Sequence, residues 1–143
     1  MGILSQGLRI APPEAPVTGY MFGKGVYFAN MVSKSANYCF TSKASPTGIL
    51  MLSEVALGKM YEVGHSEYMD EPRKGFQSTK GFGRTHPDPK ASEFLPNGCE
   101  IPLGKPETLS TLATSLLYDE FIVYNVAQIK TRYLFLVNFN YKY

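Results

Sequence analysis

An α+β fold, built mostly from antiparallel sheet with few helices, is predicted by three features of this 143-residue sequence. Residues 118–126 and 131–143 are dense in aromatic and branched side chains, the residue types that suit a pleated, half-buried surface. Residues 48–57 form a mostly apolar run closed by Gly58, which reads as a central strand. Residues 30–40 place side chains at three- and four-residue steps (Met31, Ser35, Tyr38, Cys39), a short helix among mostly strand-like and loop-like segments.

From the N-terminus, Ile3, Leu4 and Leu8 at helical spacing predict a short helix that Gly7 ends. Ala11-Pro12-Pro13-Glu14-Ala15-Pro16 predicts a shaped, non-helical loop, because each proline lacks an amide donor and restricts the residue before it. Gly19 to Gly25 then leads into Val26-Tyr27-Phe28-Ala29, a strand, followed by the helix over 30–40 with Asn30 or Ser33 as its cap. Residues 64–106 are polar, with six glycines and six prolines, and read as long surface loops with a short strand at 100–103. The two C-terminal runs, separated by Ala127-Gln128-Ile129-Lys130, read as a β-hairpin. In its second strand Tyr133, Phe135, Val137, Phe139 and Tyr141 share one face, expected to be buried throughout; the opposite face is expected to be buried only at its start.

Composition narrows the function classes. The hydrophobic share of 44% and charged share of 18% suit one globular domain spanning residues 1–143. Ten tyrosines and nine phenylalanines supply flat surfaces for a core or for stacking on a planar ligand. The net charge of +2 is scattered, with no like-charge block longer than Arg73-Lys74, which argues against a nucleic-acid footprint. Cys39 and Cys99 lie outside any zinc-ligand spacing and read as reduced thiols of an intracellular protein; no metal is expected. No apolar stretch has the length of a membrane span, and no signal-peptide order is present.

Several residues invite a functional reading beside a plain one. Glu120 lies within Leu116 to Tyr124, and alternation puts it on the face of Tyr118, Ile122 and Tyr124. Either that face is exposed and Glu120 is an ordinary surface carboxylate, or it is buried and serves a site that needs a charge. Tyr27 and Tyr38 lie on adjacent elements, where they either pack in the core or sandwich a planar heterocycle, with Ser35 one helical turn before Tyr38. The glycine-rich segment lacks both the Gly-Lys-Ser/Thr ending of a phosphate loop and the dinucleotide-binding spacing. His65 and His86 read as surface histidines.

Taken together, Gly19-Tyr20-Met21-Phe22-Gly23-Lys24-Gly25-Val26-Tyr27-Phe28-Ala29, Ser33-Lys34-Ser35-Ala36-Asn37-Tyr38-Cys39, Ser53-Glu54-Val55-Ala56-Leu57-Gly58, Ser78-Thr79-Lys80-Gly81-Phe82-Gly83 and Tyr118-Asp119-Glu120-Phe121-Ile122-Val123-Tyr124 resemble the catalytic domain of poly(ADP-ribose) polymerases, especially the nuclear members activated by DNA breaks. The resemblance implies an ADP-ribosyltransferase fold and cleavage of the nicotinamide–ribose bond of NAD, the substrate. ADP-ribose then passes to a protein acceptor or a growing poly(ADP-ribose) chain. It implies that Glu120 and Tyr27 belong to the family's His-Tyr-Glu signature and that Tyr38 stacks on nicotinamide. Ser35 would bind the carboxamide, Lys34 would neighbour Glu120, Tyr20 and Met21 would border the acceptor, and Arg9 would contact the adenosine half. It also implies nuclear placement, DNA-sensing modules elsewhere in a full-length protein, and no direct nucleic-acid or membrane binding by these residues. The family's His-Gly-Ser segment would stand just before Gly2-Ile3-Leu4, so the fold is expected to be incomplete at its N-terminal side. Three expectations follow: part of a longer transferase, a catalytically dead protein-interaction module keeping the fold, or a minimal transferase relying on Glu120 and the tyrosines.

Overall fold

The computed structural model describes residues 2–16 and 19–142, with the Leu4 side chain outside the description. A short helix α1 (Gly2–Gln6) precedes the proline loop, and β1 (Val26–Phe28) follows the glycine-rich segment. Helix α2 (Val32–Ala36) continues as a 3-10 turn over Asn37–Cys39. Then come β2 (Thr47–Val55), β3 (Met60–Val63), β4 (Ser78–Gly81), β5 (Thr85–Pro87), β6 (Glu93–Phe94), β7 (Glu100–Ile101), β8 (Pro106–Thr108), β9 (Glu120–Val123) and β10 (Ile129–Asn138). The predicted order of glycine loop, strand and helix is observed, but the helix starts without a side-chain cap. Met31 is its N-cap, and Asn30 turns its amide towards Asp119 instead.

Four strands form the sheet that carries the site, in the order β1-β9-β4-β3, antiparallel except for the β3–β4 pair. Cross-strand register places Tyr27 opposite Ile122, Ile122 opposite Thr79, and Glu120 opposite Gly81, so these residues share one face. On that face Phe22, Val63, Leu116 and Ile122 make the core, with Tyr27, Tyr61 and Tyr124 packed around them. Burying a side chain such as Ile122 contributes roughly 1.5–3 kcal/mol, so this small cluster is the main apolar anchor of the sheet.

The expected C-terminal hairpin does not form. β9 pairs with β1 and β4, while β10 pairs over nine register positions with β2 in a separate two-stranded ribbon. The intervening segment is a 3-10 turn, Val126–Gln128, capped by the Asn125 side chain at the Ala127 amide, and it carries the chain from one sheet to the other. Two runs of β-type composition do not specify each other as partners, and here the closed 3-10 turn directs them apart. β2 is accordingly an edge partner of β10 among the described residues, not the central strand its apolar run suggested. The expected burial of β10 fails for the same reason: Tyr133, Leu134, Phe135 and Leu136 are all exposed, Leu136 at 76%.

β4 was not expected as a strand because Ser78-Thr79-Lys80-Gly81 carries no apolar periodicity. Its hydroxyls compensate for burial: Ser78 donates to the Leu57 carbonyl at 2.7 Å, and Thr79 lies 3.1 Å from the Tyr124 hydroxyl. Immediately after β4, Gly83 touches the backbone of Tyr118, where an added Cβ would fall 2.1 Å from the Tyr118 carbonyl carbon. Gly83→Ala must therefore push the entry of β9 away from β4. We expect it to lower stability by about 1–3 kcal/mol or more, read as a reduced urea midpoint; an unchanged midpoint would contradict this packing.

Candidate active site

The site is built around the first residue of β9. Glu120 is 7% exposed, which removes the reading of an ordinary surface carboxylate. Its Oε1 pairs with the Lys34 ammonium at 2.6 Å, while Oε2 is buried with no hydrogen-bond partner among the described residues. Lys34 reaches it from α2, and its ammonium also lies 5.8 Å above the Tyr38 ring. Burial works against the charged Lys34, but the hydrogen bond and charge of Glu120, joined by Tyr38, outweigh it and raise its pKa above the usual lysine value. A buried oxygen left unpaired costs about 1–3 kcal/mol, so Oε2 marks a place suited to an incoming hydroxyl.

Two tyrosines on the same face lock the glycine-rich segment. Tyr27 accepts a hydrogen bond from the Phe22 amide at 3.0 Å and donates to the Gly23 carbonyl at 2.7 Å. Tyr124 donates to the Phe22 carbonyl at 2.7 Å. Both backbone groups of the fully buried Phe22 are thus held by phenol oxygens, one from β1 and one just beyond β9. Gly23 has φ of 84°, and a Cβ there would fall 1.7 Å from the Met69 carbonyl oxygen, so the turn requires glycine. The segment is held from outside as well: the Met21 carbonyl accepts from the Glu67 amide at 3.0 Å and the Ser66 hydroxyl at 3.1 Å. Glu67 in turn accepts from Tyr61 at 3.1 Å and pairs with Arg73. The buried Lys24 ammonium donates to the carbonyls of Pro12, Pro13 and Ala15 at 2.6–2.8 Å, tying the proline loop to the same segment.

A cleft of about 1890 Å³ lies between the opposite face of the sheet and the β2–β10 ribbon. Tyr27, Ser35 and Tyr38 lie on its walls; Glu120 and Lys34 do not. The cleft and the carboxylate are therefore neighbours on the two sides of the sheet, with the Lys34–Glu120 pair outside the cleft lining. Tyr38 is 65% exposed and Ser35 half-buried. Met21 is exposed and Tyr20 half-buried on the glycine-rich segment. Arg9 is exposed and is not on the cleft. His65 is exposed beside Glu67, whereas His86, expected at the surface, is half-buried in β5 and faces the cleft. Sequence reasoning missed Lys24, Asn30 and Asp119 as supports of the site. Only Asp119 left a signal there, as a second carboxylate beside Glu120 in an apolar run.

Burial raises the phenol pKa of Tyr27 above the usual tyrosine value of 10.0, only partly offset by the Phe22 amide; burial raises Tyr124 in the same direction. Tyr27, Tyr124 and Lys34 all hold their protons more tightly when folded, so their contribution is complete below pH 10.0 and is lost as pH rises through the folded values. The melting temperature is expected to be flat up to about pH 9.5 and to fall above it, less steeply in Tyr27→Phe. Tyr27→Phe also strands the Phe22 amide and should cost about 1–3 kcal/mol at neutral pH. A melting temperature that stays flat to about pH 11 would contradict the alkaline sensitivity.

The family model of the poly(ADP-ribose) polymerase catalytic domain matches residues 1–139. The chain is 60% identical over 141 residues to poly(ADP-ribose) polymerase 1 of Danio rerio, a match covering 99% of this chain and 14% of that protein. It is 59% identical over 143 residues to poly(ADP-ribose) polymerase 2 of Arabidopsis thaliana, covering 99% of this chain and 22% of that protein. It is 57% identical over 143 residues to a poly(ADP-ribose) polymerase of Drosophila melanogaster, covering all of this chain and 14% of that protein. The chain thus spans between a seventh and a quarter of the curated relatives it matches. With its antiparallel-dominated sheets, its buried Glu120 and a family match over nearly its whole length, the chain belongs to the poly(ADP-ribose) polymerase catalytic-domain family.

Proposed function

We propose that these residues serve an NAD-dependent ADP-ribosyltransferase, which releases nicotinamide and passes ADP-ribose to a protein side chain or to an earlier ADP-ribose unit. The observation that carries this reading is the buried Glu120 with one oxygen paired to Lys34 and the other buried without a partner among the described residues. Cleavage of the N-glycosidic bond leaves the electron pair on nicotinamide and positive charge on the ribose C1′. A fixed carboxylate stabilises that oxocarbenium-like state much as one does in glycoside hydrolysis. The unpaired Oε2 suits a ribose hydroxyl, and Lys34 holds the other oxygen in place. An acceptor hydroxyl oxygen then bonds to C1′ in place of the departed nicotinamide and releases its proton to solvent.

In this reading the remaining side chains supply placement. The Tyr27 ring offers an apolar face while its hydroxyl is committed to the glycine-rich segment, so its part is to position nicotinamide and not to transfer a proton. Tyr38 offers a second, exposed ring, and Ser35 a hydroxyl for the carboxamide, both on the cleft wall. Tyr20 and Met21 border the acceptor on the locked segment. Arg9, exposed and off the cleft, has the weakest structural support as an adenosine contact. Nuclear placement and a DNA-sensing role for the longer protein belong to the same proposal.

The test is nicotinamide release from NAD by the natural full-length polypeptide. Glu120→Gln keeps the size and removes the charge, and we expect it to lower kcat by about a hundredfold or more, the scale seen when a charge-stabilising group is removed. A variant within about threefold of the parent would overturn the assigned role of Glu120, since so small a factor is below what loss of such a group costs. A parent that binds NAD without releasing nicotinamide would point instead to a protein-interaction module keeping the fold.

A further inference from the structure

Asp119 stands immediately before β9 and points to the face opposite Glu120, yet it is also buried, at 5% exposure. Two adjacent carboxylates inside one fold each need compensation, and they receive it from different directions. Asp119 Oδ1 accepts the Gly83 amide at 2.8 Å, a bond that fastens the entry of β9 to the end of β4. Its Oδ2 accepts from the Asn30 side-chain amide at 3.3 Å and lies 3.9 Å from the Lys80 ammonium, which also approaches Glu62 at 3.7 Å. Asn30 is two residues past the end of β1 and two before α2, the helix that carries Lys34 and Ser35 and leads into Tyr38. The other Asn30 side-chain atom, Oδ1, is buried without a partner among the described residues, so the bond to Asp119 anchors this side chain.

We propose that Asp119 is a positioning residue for the reaction: by clamping Asn30 and Gly83 it sets the distance between the Glu120 strand and the helix that delivers Lys34. Glu120 and Lys34 come from elements far apart in sequence, and their 2.6 Å contact holds only if β9 and the β1–α2 junction keep their relative placement. The bond from Asn30 to Asp119 is the side-chain link that spans those same two elements on the other face. Asparagine at 119 fits the logic of the site. Its Oδ1 still accepts from Gly83, and its amide faces Asn30, whose unpaired Oδ1 can accept it after a flip of the Asn30 amide. Alanine keeps neither bond.

The inference rests on the transferase reading, and the two fail differently. The test measures kcat and KM for nicotinamide release by the natural full-length polypeptide, with thermal melting alongside, for Asp119→Ala, Asp119→Asn and Asn30→Ala. Asp119→Ala and Asn30→Ala are expected to lower kcat at least about tenfold with KM for NAD within about threefold, since displacement of a reacting group by an ångström costs up to about a hundredfold. Asp119→Asn is expected to restore kcat to within about threefold of the parent despite losing the charge pairing with Lys80, the residual factor expected when placement is kept. Unchanged kcat in Asn30→Ala, or Asp119→Asn as slow as Asp119→Ala, would overturn the proposal. If Asp119→Ala does not fold, the other two variants decide it. A parent that releases no nicotinamide sinks the transferase reading instead. In that case amide exchange at Gly83 and Glu120 carries the test: exchange faster in Asn30→Ala and near the parent rate in Asp119→Asn supports the clamp, and no change in Asn30→Ala overturns it.

Discussion

A carboxylate taken out of water is destabilising by several kcal/mol unless charge and hydrogen bonds compensate it, and the arrangement of this chain follows from meeting that requirement at Glu120. Lys34 meets it at one oxygen, which obliges α2 to sit against the start of β9. That in turn requires β1 and β9 to be neighbours, because the chain has only three residues between the end of β1 and the start of α2. The strand pairing Tyr27–Ile122 then brings two tyrosines to either side of Phe22, whose amide and carbonyl they hold. Site and core are therefore one construction: the phenols that shape the wall beside Glu120 also pack on Ile122 and Phe22.

The outer supports repeat this logic with backbone carbonyls and longer side chains. Lys24 gathers three carbonyls of the proline loop, and Glu67 links Tyr61 and Arg73 to the segment that caps Met21. The β2–β10 ribbon is held more lightly. Gln128 reaches the Ala56 and Gln77 carbonyls, and Arg132 and Asn97 meet on Glu54, whose carboxyl Arg132 pulls below the usual glutamate range. Its apolar side chains are largely exposed, so the stability of this chain is concentrated in the four-stranded sheet and not shared evenly.

Much of this was legible in the sequence where the signal is local. The proline loop, the glycine turn, β1 and the helical step to Tyr38 were all placed by residue type and spacing. Glu120 drew notice because a charge stood within an apolar alternation, and it is buried. The pairing of strands was not legible. β9 and β10 look like hairpin partners, but the Val126–Gln128 turn sends them to different sheets, and no local pattern encodes that choice. β4 was hidden because its buried hydroxyls are satisfied by partners distant in sequence, which makes a polar segment act as a core strand. The Asn30–Asp119 link spans 89 positions and is invisible to any window. The family resemblance supplied roles for individual residues, and the structure adds the supports that hold them.

In the proposed transferase the unpaired oxygen of Glu120 receives a ribose hydroxyl while the Tyr27–Tyr38 region receives nicotinamide. A crystal structure of the natural full-length polypeptide with a non-hydrolysable NAD analogue tests it most directly. The expected result is a ribose hydroxyl within hydrogen-bond distance of Glu120 Oε2, the nicotinamide ring against Tyr38 and its carboxamide at the Ser35 hydroxyl, with the Lys34–Glu120 pair intact. An analogue bound elsewhere in the cleft, with Glu120 Oε2 still unpartnered, would contradict it.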